Sequence, residues 1–262
     1  LGDLWLRDGI AYGRARTVEV HDRKTDYYQF TSEPFTLKLG ELDVILMRKD
    51  PPVDSEYLYA THILSLAQAQ GAQVVNNPQA IRDYNEKLFI QHFPHAIAPT
   101  RVSSRAADIK AFAHEQSPQK VVLKPLDGMG GAGIFVSHAS DENLSSIIET
   151  LTANGSRYAL AQRYLPEIKQ GDKRILMIHG QPIAYALARI PADGEARGNL
   201  AAGGRGVGQA LSPRDRWLAA QISDTLVQHG LLFVGLDVIG DYITEINVTS
   251  PTCVRELDAQ FG

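Results

Sequence analysis

Residues 234–253 read VGLDVIGDYITEINVTSPTC, and the way this segment pairs with itself decides how the rest of the chain is read. Two apolar runs flank Gly240 in the pattern of a β-hairpin, yet Asp237, Glu245 and Asn247 stand among their Val, Leu and Ile residues. Strands tend to bury apolar side chains, so polar groups set among them need a partner or a task. A three-residue loop over 240–242 pairs Ile239 with Ile243 and puts Asp237 opposite Glu245. Glu245 and Asn247 then share a face, because side chains alternate along a strand. The expected product is a cluster of hard oxygen donors suited to Mg²⁺, which takes one or two carboxylates together with nucleotide phosphates. A two-residue turn would carry Asp237 to the other face. The plain alternative is a solvated hairpin face with no ligand.

With 262 residues the chain can bury a sizeable core and form two domains or subdomains. A net charge of −4 and an ordinary composition give no reason to expect nucleic acid or an anionic membrane as partner. No apolar run approaches the length of a membrane span. The lone cysteine, Cys253, excludes an internal disulfide framework and fits a reducing compartment. The sequence starts at Leu1 without a methionine or a signal-like apolar core, and stops at Gly262 soon after a helix begins near Ser250 and Pro251. Both ends are therefore expected to continue in a longer protein.

Working outward, LDVILM at 42–47 reads as a buried strand. Asp54 is placed as an N-cap, after which Tyr57, Ala60, Ile63, Leu64 and Ala67 recur at helical spacing up to a stop at Gly71. A second strand at 73–76 completes a βαβ unit. Asn77 and Pro78 start a new helical element that continues through Asn85, Glu86 and Lys87. Strands are expected at 101–102, 120–124, 134–137, 158–164, 174–178 and 181–190, with helices at 106–114, 141–151 and 213–229. Residues 191–208 (PADGEARGNLAAGGRGVG) lack either periodicity, and a loop of that length inside a compact domain is usually a functional lid or a linker. Six glycines lie between Gly194 and Gly208, and Arg197 and Arg205 would bring positive charge to such a lid. The last helix is expected to be capped by Ser250 or Thr249, with Pro251 in its first turn and Cys253 packed at its start.

GMGGAG at 128–133 fits G-x-G-x-x-G, but the dinucleotide reading requires a helix next, and IFV follows instead. A glycine loop between two strands suits a flap over nucleotide phosphates better. Lys124 ends the apolar strand just before it and is well placed to meet a phosphate as a point charge. Arg48, Lys49 and Asp50 close another strand and either reach a substrate cleft or form a structural salt bridge. The eight histidines show no metal-ligand spacing.

Taken together, VVLKPLDGMGGAGIF (121–135), AQRYLP (161–166), GDKRIL (171–176), ARGNLAAGGRG (196–206) and GLDVIGDYITEINVTSPT (235–252) resemble the ATP-grasp ligases, and within them the bacterial glutathione synthetases. LMRKDPPVDSEYLYAT (46–61) and NEKLF (85–89) resemble their upstream segments. The resemblance implies an N-terminal α/β domain over 1–79, lacking its first strand and helix. An α+β ATP-grasp domain would follow over 80–262, with a lid subdomain near 98–164, a mobile loop at 190–208, a shortened C-terminal helix and nucleotide held between two subdomains. It implies that Lys87 and Lys124 meet the ATP phosphates or the adenine side of the cleft, with Gly128, Gly130 and Gly131 of the glycine loop over the nucleotide, while Gln162, Tyr164 and Leu165 lie against adenine and ribose and Asp172 sits near the nucleotide. Asp237, Glu245 and Asn247 would hold Mg²⁺, or Mn²⁺ in its place. Arg174, Arg189 and Arg197 would act on γ-glutamylcysteine and its acyl phosphate, with Asn247 and Ser250 nearby. The implied enzyme is a cytoplasmic homotetramer that uses ATP to join γ-glutamylcysteine to glycine, with no nucleic-acid or membrane partner. Two other readings stay open: an ATP-grasp ligase with a different acceptor, and a nucleotide-binding regulatory protein that has lost turnover.

Overall fold

The computed structural model describes residues 2–23, 25–128, 130–192, 194, 198 and 203–262. The chain opens with β1 (Leu4–Arg7), β2 (Ile10–Ala15), β3 (Val18–Val20), β4 (Tyr28–Phe30) and β5 (Phe35–Lys38). Strands β1, β2 and β5 form one antiparallel sheet, while β3 and β4 stand apart as a ribbon exposed at every residue. The sequence reading has no counterpart for these five strands. They are short, and the ribbon has no buried face, so no period-two apolar signal marks them.

The expected βαβ unit follows as β6 (Val44–Leu46), α1 (Ser55–Ala69) and β7 (Gln73–Val75), with β6 and β7 parallel. Asp54 caps α1 by accepting from the Tyr57 amide at 2.9 Å, and Tyr57, Ala60, Leu64 and Ala67 are buried. Helix α2 (Pro78–Asp83) begins as expected, with the Asn77 side chain accepting from the Gln79 and Ala80 amides. It does not run through Lys87. Tyr84 is extended, and the Asn85 carboxamide opens a new turn by accepting from the Lys87 and Leu88 amides. That early stop removes Glu86 and Lys87 from a helix and leaves both bordering the cavity described below.

Asn76 welds this unit to the rest of the molecule. Its Nδ2 donates to the carbonyls of Phe233 and Val248 at 2.8 and 2.7 Å, and its Oδ1 accepts from the Phe233 amide at 2.8 Å. Asn76→Leu would strand three backbone groups, two of them carbonyls, in a buried position. It is expected to cost about 3 kcal/mol, since each orphaned group costs roughly 1–3 kcal/mol, and a thermal melt reads the loss directly.

A second unit contains β8 (Thr100–Ser103), α3 (Ala106–Glu115), β9 (Val121–Pro125), β10 (Phe135–Ser137), α4 (Leu144–Thr152) and β11 (Ala159–Arg163). Its antiparallel sheet has the order β10-β9-β11-β8, and Ile109, Phe112 and Ile148 of the helices pack on Val121, Leu123 and Ala161. The third comprises β12 (Asp172–Ile178), β13 (Gln181–Ile190), β14 (Arg205–Ala210), α5 (Pro213–Gln228), β15 (Phe233–Ile239), β16 (Tyr242–Asn247) and α6 (Val254–Phe261). Its antiparallel sheet runs β14-β13-β12-β15-β16, and the main core lies between it and α5. Ser212 and Asp215 close a capping box at the start of α5. The α/β expectation, with α+β units in the second part, agrees with this architecture. Among the described residues, no helix is long and apolar enough to cross a membrane.

The hairpin reaches the expected pair by another route. Its turn has two residues, Gly240 and Asp241, with Ile239 opposite Tyr242 and Val238 opposite Ile243. A bulge at Thr244 then shifts the register, so that Asp237 faces Glu245 after all. The last helix also departs from expectation. It begins at Val254, and Cys253 occupies the N-cap position at φ +85° without a side-chain cap bond. Neither Thr249 nor Ser250 caps it: Thr249 Oγ1 donates to Glu86 Oε1 at 2.7 Å, and Ser250 Oγ donates to the Asp50 carboxylate.

Candidate functional site

A cavity of about 330 Å³ opens between the second and third units. Every expected site residue that the structure describes borders it: Lys87, Lys124, Gly128, Gly130, Gly131, Gln162, Tyr164, Leu165, Asp172, Arg174, Arg189, Asp237, Glu245, Asn247 and Ser250. Arg197 lies outside the described residues, as does much of the loop expected at 190–208. Arg205, considered as a lid cation, is exposed at the start of β14 and is not among the lining residues.

One end is cationic around a single carboxylate. Strand β9 delivers Lys124 and β16 delivers Glu245, with their charged atoms 3.6 Å apart. Lys87 Nζ reaches the same Glu245 oxygen at 3.8 Å and donates to the Gly128 carbonyl at 2.7 Å. The glycine loop joins antiparallel β9 and β10, as the strand-loop-strand reading required. Gly130 and Gly131 hold φ of +61° and +82°, a region that side chains disfavour. Apolar Val122, Val136, Leu165, Ile168 and Ile239 complete this side of the cavity, and Gln162 Nε2 donates to Thr100 Oγ1 at 2.9 Å.

The floor is a buried charge network built from cross-strand partners. Arg174 stands opposite Asp237 across β12 and β15, and Asp172 opposite Arg189 across β12 and β13. Arg174 Nε lies 2.5 Å from Asp237 Oδ1, and one Arg189 nitrogen reaches Asp237 Oδ2 at 2.9 Å and Asp172 Oδ2 at 2.6 Å. Burial opposes the charge on Asp237, but the Arg174 and Arg189 guanidiniums overcome it and hold the carboxyl well below its ordinary range. Burial pushes Asp172 up to about 7 against the pull of Arg189, with Asp237 and Glu245 adding to the rise. The second Asp172 oxygen, Oδ1, is buried and meets no hydrogen-bond partner among the described residues.

Glu245 and Asn247 line the cavity from β16, and the Asn247 side-chain Nδ2 donates to the Gly235 carbonyl at 3.2 Å. Among the described residues, no three His, Cys, Asp or Glu side chains converge on one point. A metal would therefore rest on two carboxylates, an amide oxygen and its ligand's own oxygens. That donor set is hard and matches Mg²⁺ better than a softer ion.

The sequence gives Glu86 no site role and Thr249 only the place of a candidate helix cap, although both border the cavity. Burial raises the Glu86 carboxyl, against the hydrogen bond from Thr249. Glu86 stood inside the quoted NEKLF segment, yet its position became visible only once α2 was seen to end at Asp83. Of the strand end weighed above, Asp50 borders the cavity, and Arg48 donates to the Pro251 carbonyl at 2.7 Å.

Two family models match the chain: residues 1–82 fit the N-terminal domain and residues 86–262 the ATP-grasp domain of prokaryotic glutathione synthetase. A glutathione synthetase of Pseudomonas aeruginosa is 57% identical over 259 residues, covering 99% of this chain and 81% of that protein. One from Xanthomonas campestris is 57% identical over 264 residues, covering 100% and 82%. Among solved structures, D-cycloserine synthetase superposes with a TM-score of 0.65 at 16% identity, over 86% of this chain and 81% of that one. The ATP-grasp ligase PsnB, complexed with a minimal precursor, Mg and ADP, gives 0.59 at 17% identity over 93% and 79%. At that identity the two structures share the fold alone.

Proposed function

Because this chain belongs to the family of prokaryotic glutathione synthetases, we propose that its cavity is the ligase site and that the cationic end and the charged floor divide the work. The enzyme is an ATP-dependent ligase that makes glutathione from γ-glutamylcysteine and glycine. A carboxylate is a poor electrophile, so ATP must first activate it, in our reading as an acyl phosphate. Both partners in that step are anions, and the site must neutralise them while they meet.

In this reading Lys87 and Lys124, with the backbone of Gly128, Gly130 and Gly131, hold the phosphates. Gln162, Tyr164, Leu165 and Asp172 hold the nucleoside. Arg174 and Arg189, together with Arg197, hold the peptide carboxylate and the phosphoryl group it receives, because a planar guanidinium binds such oxygens bidentately. Asn247 and Ser250 flank the peptide. Mg²⁺, or Mn²⁺, would rest on Asp237, Glu245 and Asn247, where it would offset phosphate charge. For Asp237 this means sharing its carboxylate between metal and arginines. The observation that carries the reading is the Asp237–Glu245 register, which sets one acid among arginines and the other between lysines. We divide the chain at 79/80 and read the assembly as a cytoplasmic homotetramer acting on small molecules, not nucleic acid or membranes. The net charge of −4 supports the last point, and the tetramer rests on the resemblance alone.

Phosphate release with Mg²⁺-ATP, measured with each substrate alone and then with both, tests the reading. Release is expected to need both, with glutathione formed in equal amount. ATP binding without release would favour the regulatory alternative, and release with another acceptor would favour a different ATP-grasp ligase.

A further inference from the structure

The cavity's charges pair off unevenly. Lys87 and Lys124 share Glu245, while Arg174 and Arg189 share Asp237 and Asp172. Arg163 turns to the Tyr242 hydroxyl and ring. Among the described residues, two lining carboxylates form no ion pair, Asp50 and Glu86, and each accepts from a hydroxyl instead. Asp50 is exposed and has Arg48 as a neighbouring charge. Glu86 is the more enclosed of the two: Lys87 and Arg174 act on it only from a distance, Glu245 opposes them, and among the described residues Thr249 is its one direct side-chain partner, so burial still raises the carboxyl.

Its position is fixed from both sides. The Glu86 carbonyl accepts from the Ile246 amide at 3.0 Å, between the cavity residues Glu245 and Asn247, and its Oε1 accepts from Thr249. Lys87, the next residue, faces Glu245, and Ser250, the residue after Thr249, is in the segment assigned above to the peptide. Glu86 thus stands where the phosphate-holding and peptide-holding parts of the cavity meet. Both substrates of the reaction bring a primary ammonium group as well as carboxylates. The arginines answer the carboxylates, and the ammonium needs an anion that is not already spent on an internal cation.

We propose that Glu86 is the ammonium-recognising group of this ligase, held in place by Thr249 and completed by the amine of a bound substrate. The proposal rests on the ligase reading and adds to it the selection of an amino-bearing substrate. The ammonium comes from the γ-glutamyl end of the peptide or from glycine, and kinetics separate the two.

Glu86→Gln suits the test because an amide oxygen still accepts from Thr249, so the loop contact survives while the charge is lost. Steady-state kinetics on the full chain would compare γ-glutamylcysteine, its des-amino analogue glutarylcysteine, and glycine. If the peptide amine is bound, wild type prefers γ-glutamylcysteine by roughly 10–100-fold in kcat/KM, the scale of a charge-assisted hydrogen bond. In Glu86→Gln that preference falls to near one, with the KM for ATP unchanged. If the glycine amine is bound, the KM for glycine rises by a similar factor and the peptide preference is kept. Unchanged constants for both substrates overturn the proposal, as does a loss shared equally with ATP. Should the variant not fold, Glu86→Asp keeps the charge but withdraws it by one methylene, and wild-type constants for both amines there overturn the proposal. A wild-type enzyme that makes no glutathione at all would instead overturn the ligase reading beneath it.

Discussion

Asp237→Asn is expected to lower kcat by about 10²-fold or more, the scale seen when one preorganised charge-stabilising group is removed, and to destabilise the fold by roughly 3–5 kcal/mol, the cost of breaking a buried ion pair. The Asp237 side chain is 5% exposed, and both its oxygens are taken by guanidiniums. Asparagine offers one acceptor and turns a donor toward a cation, so among the described residues Arg189 keeps Asp172 as its ion-pair partner while Arg174 keeps none. The pH dependence has a definite sign. The folded carboxyl lies below its unfolded value of 3.8. Its stabilising effect is therefore complete above that value and is lost as pH falls toward the folded pKa. Wild type should lose stability on acidification below about pH 4, and the variant should lose less. Thermal melts at about pH 2 and pH 4, a range below the titration of Asp172 at about 7, and melts with phosphate-release rates at pH 7 measure all three effects. Equal melting temperatures at pH 7 would show that the network contributes nothing to the fold.

The hairpin shows how far the sequence could be read. Asp237, Glu245 and Asn247 were legible as an oxygen cluster because polar residues in an apolar strand signal a task. The opposition of Asp237 and Glu245 was inferred from a three-residue loop, whereas it arises from a two-residue turn and a bulge at Thr244. A bulge at a threonine carries no composition signal of the kind a glycine gives. The arginine partners were harder to foresee. Pairing Arg174 with Asp237 depends on β12 lying beside β15, although more than fifty residues separate the two in sequence. Local periodicity has no access to sheet order, so the sequence points to residues that line the cavity without pointing to their mutual contacts. Helix signals were good where a cap was present, as at Asp54 and Asn77. They failed at Ser250, whose hydroxyl was a plausible cap in sequence and is bound to Asp50 in the fold.

Glu245→Gln separates metal use from nucleotide binding. The side chain is 19% exposed, against 5% for Asp237, so removing its charge is expected to destabilise the fold less than Asp237→Asn does. Two buried ammonium groups, Lys87 and Lys124, then lose their shared anion. Their charge becomes available to a phosphate, and ADP without metal should bind as well as or better than in wild type. With metal present the opposite holds, because an ion placed by two carboxylates keeps only one of them. Turnover at ordinary Mg²⁺ is expected to fall by about 10²-fold, the loss typical of a charge-stabilising group, and to recover partly as Mg²⁺ is raised. Calorimetric ADP titrations with and without metal, beside phosphate-release assays across a Mg²⁺ series, distinguish these effects. Weaker metal-free ADP binding would mean that Glu245 orders the lysines for phosphate. Wild-type turnover at low Mg²⁺ would remove it from the metal site.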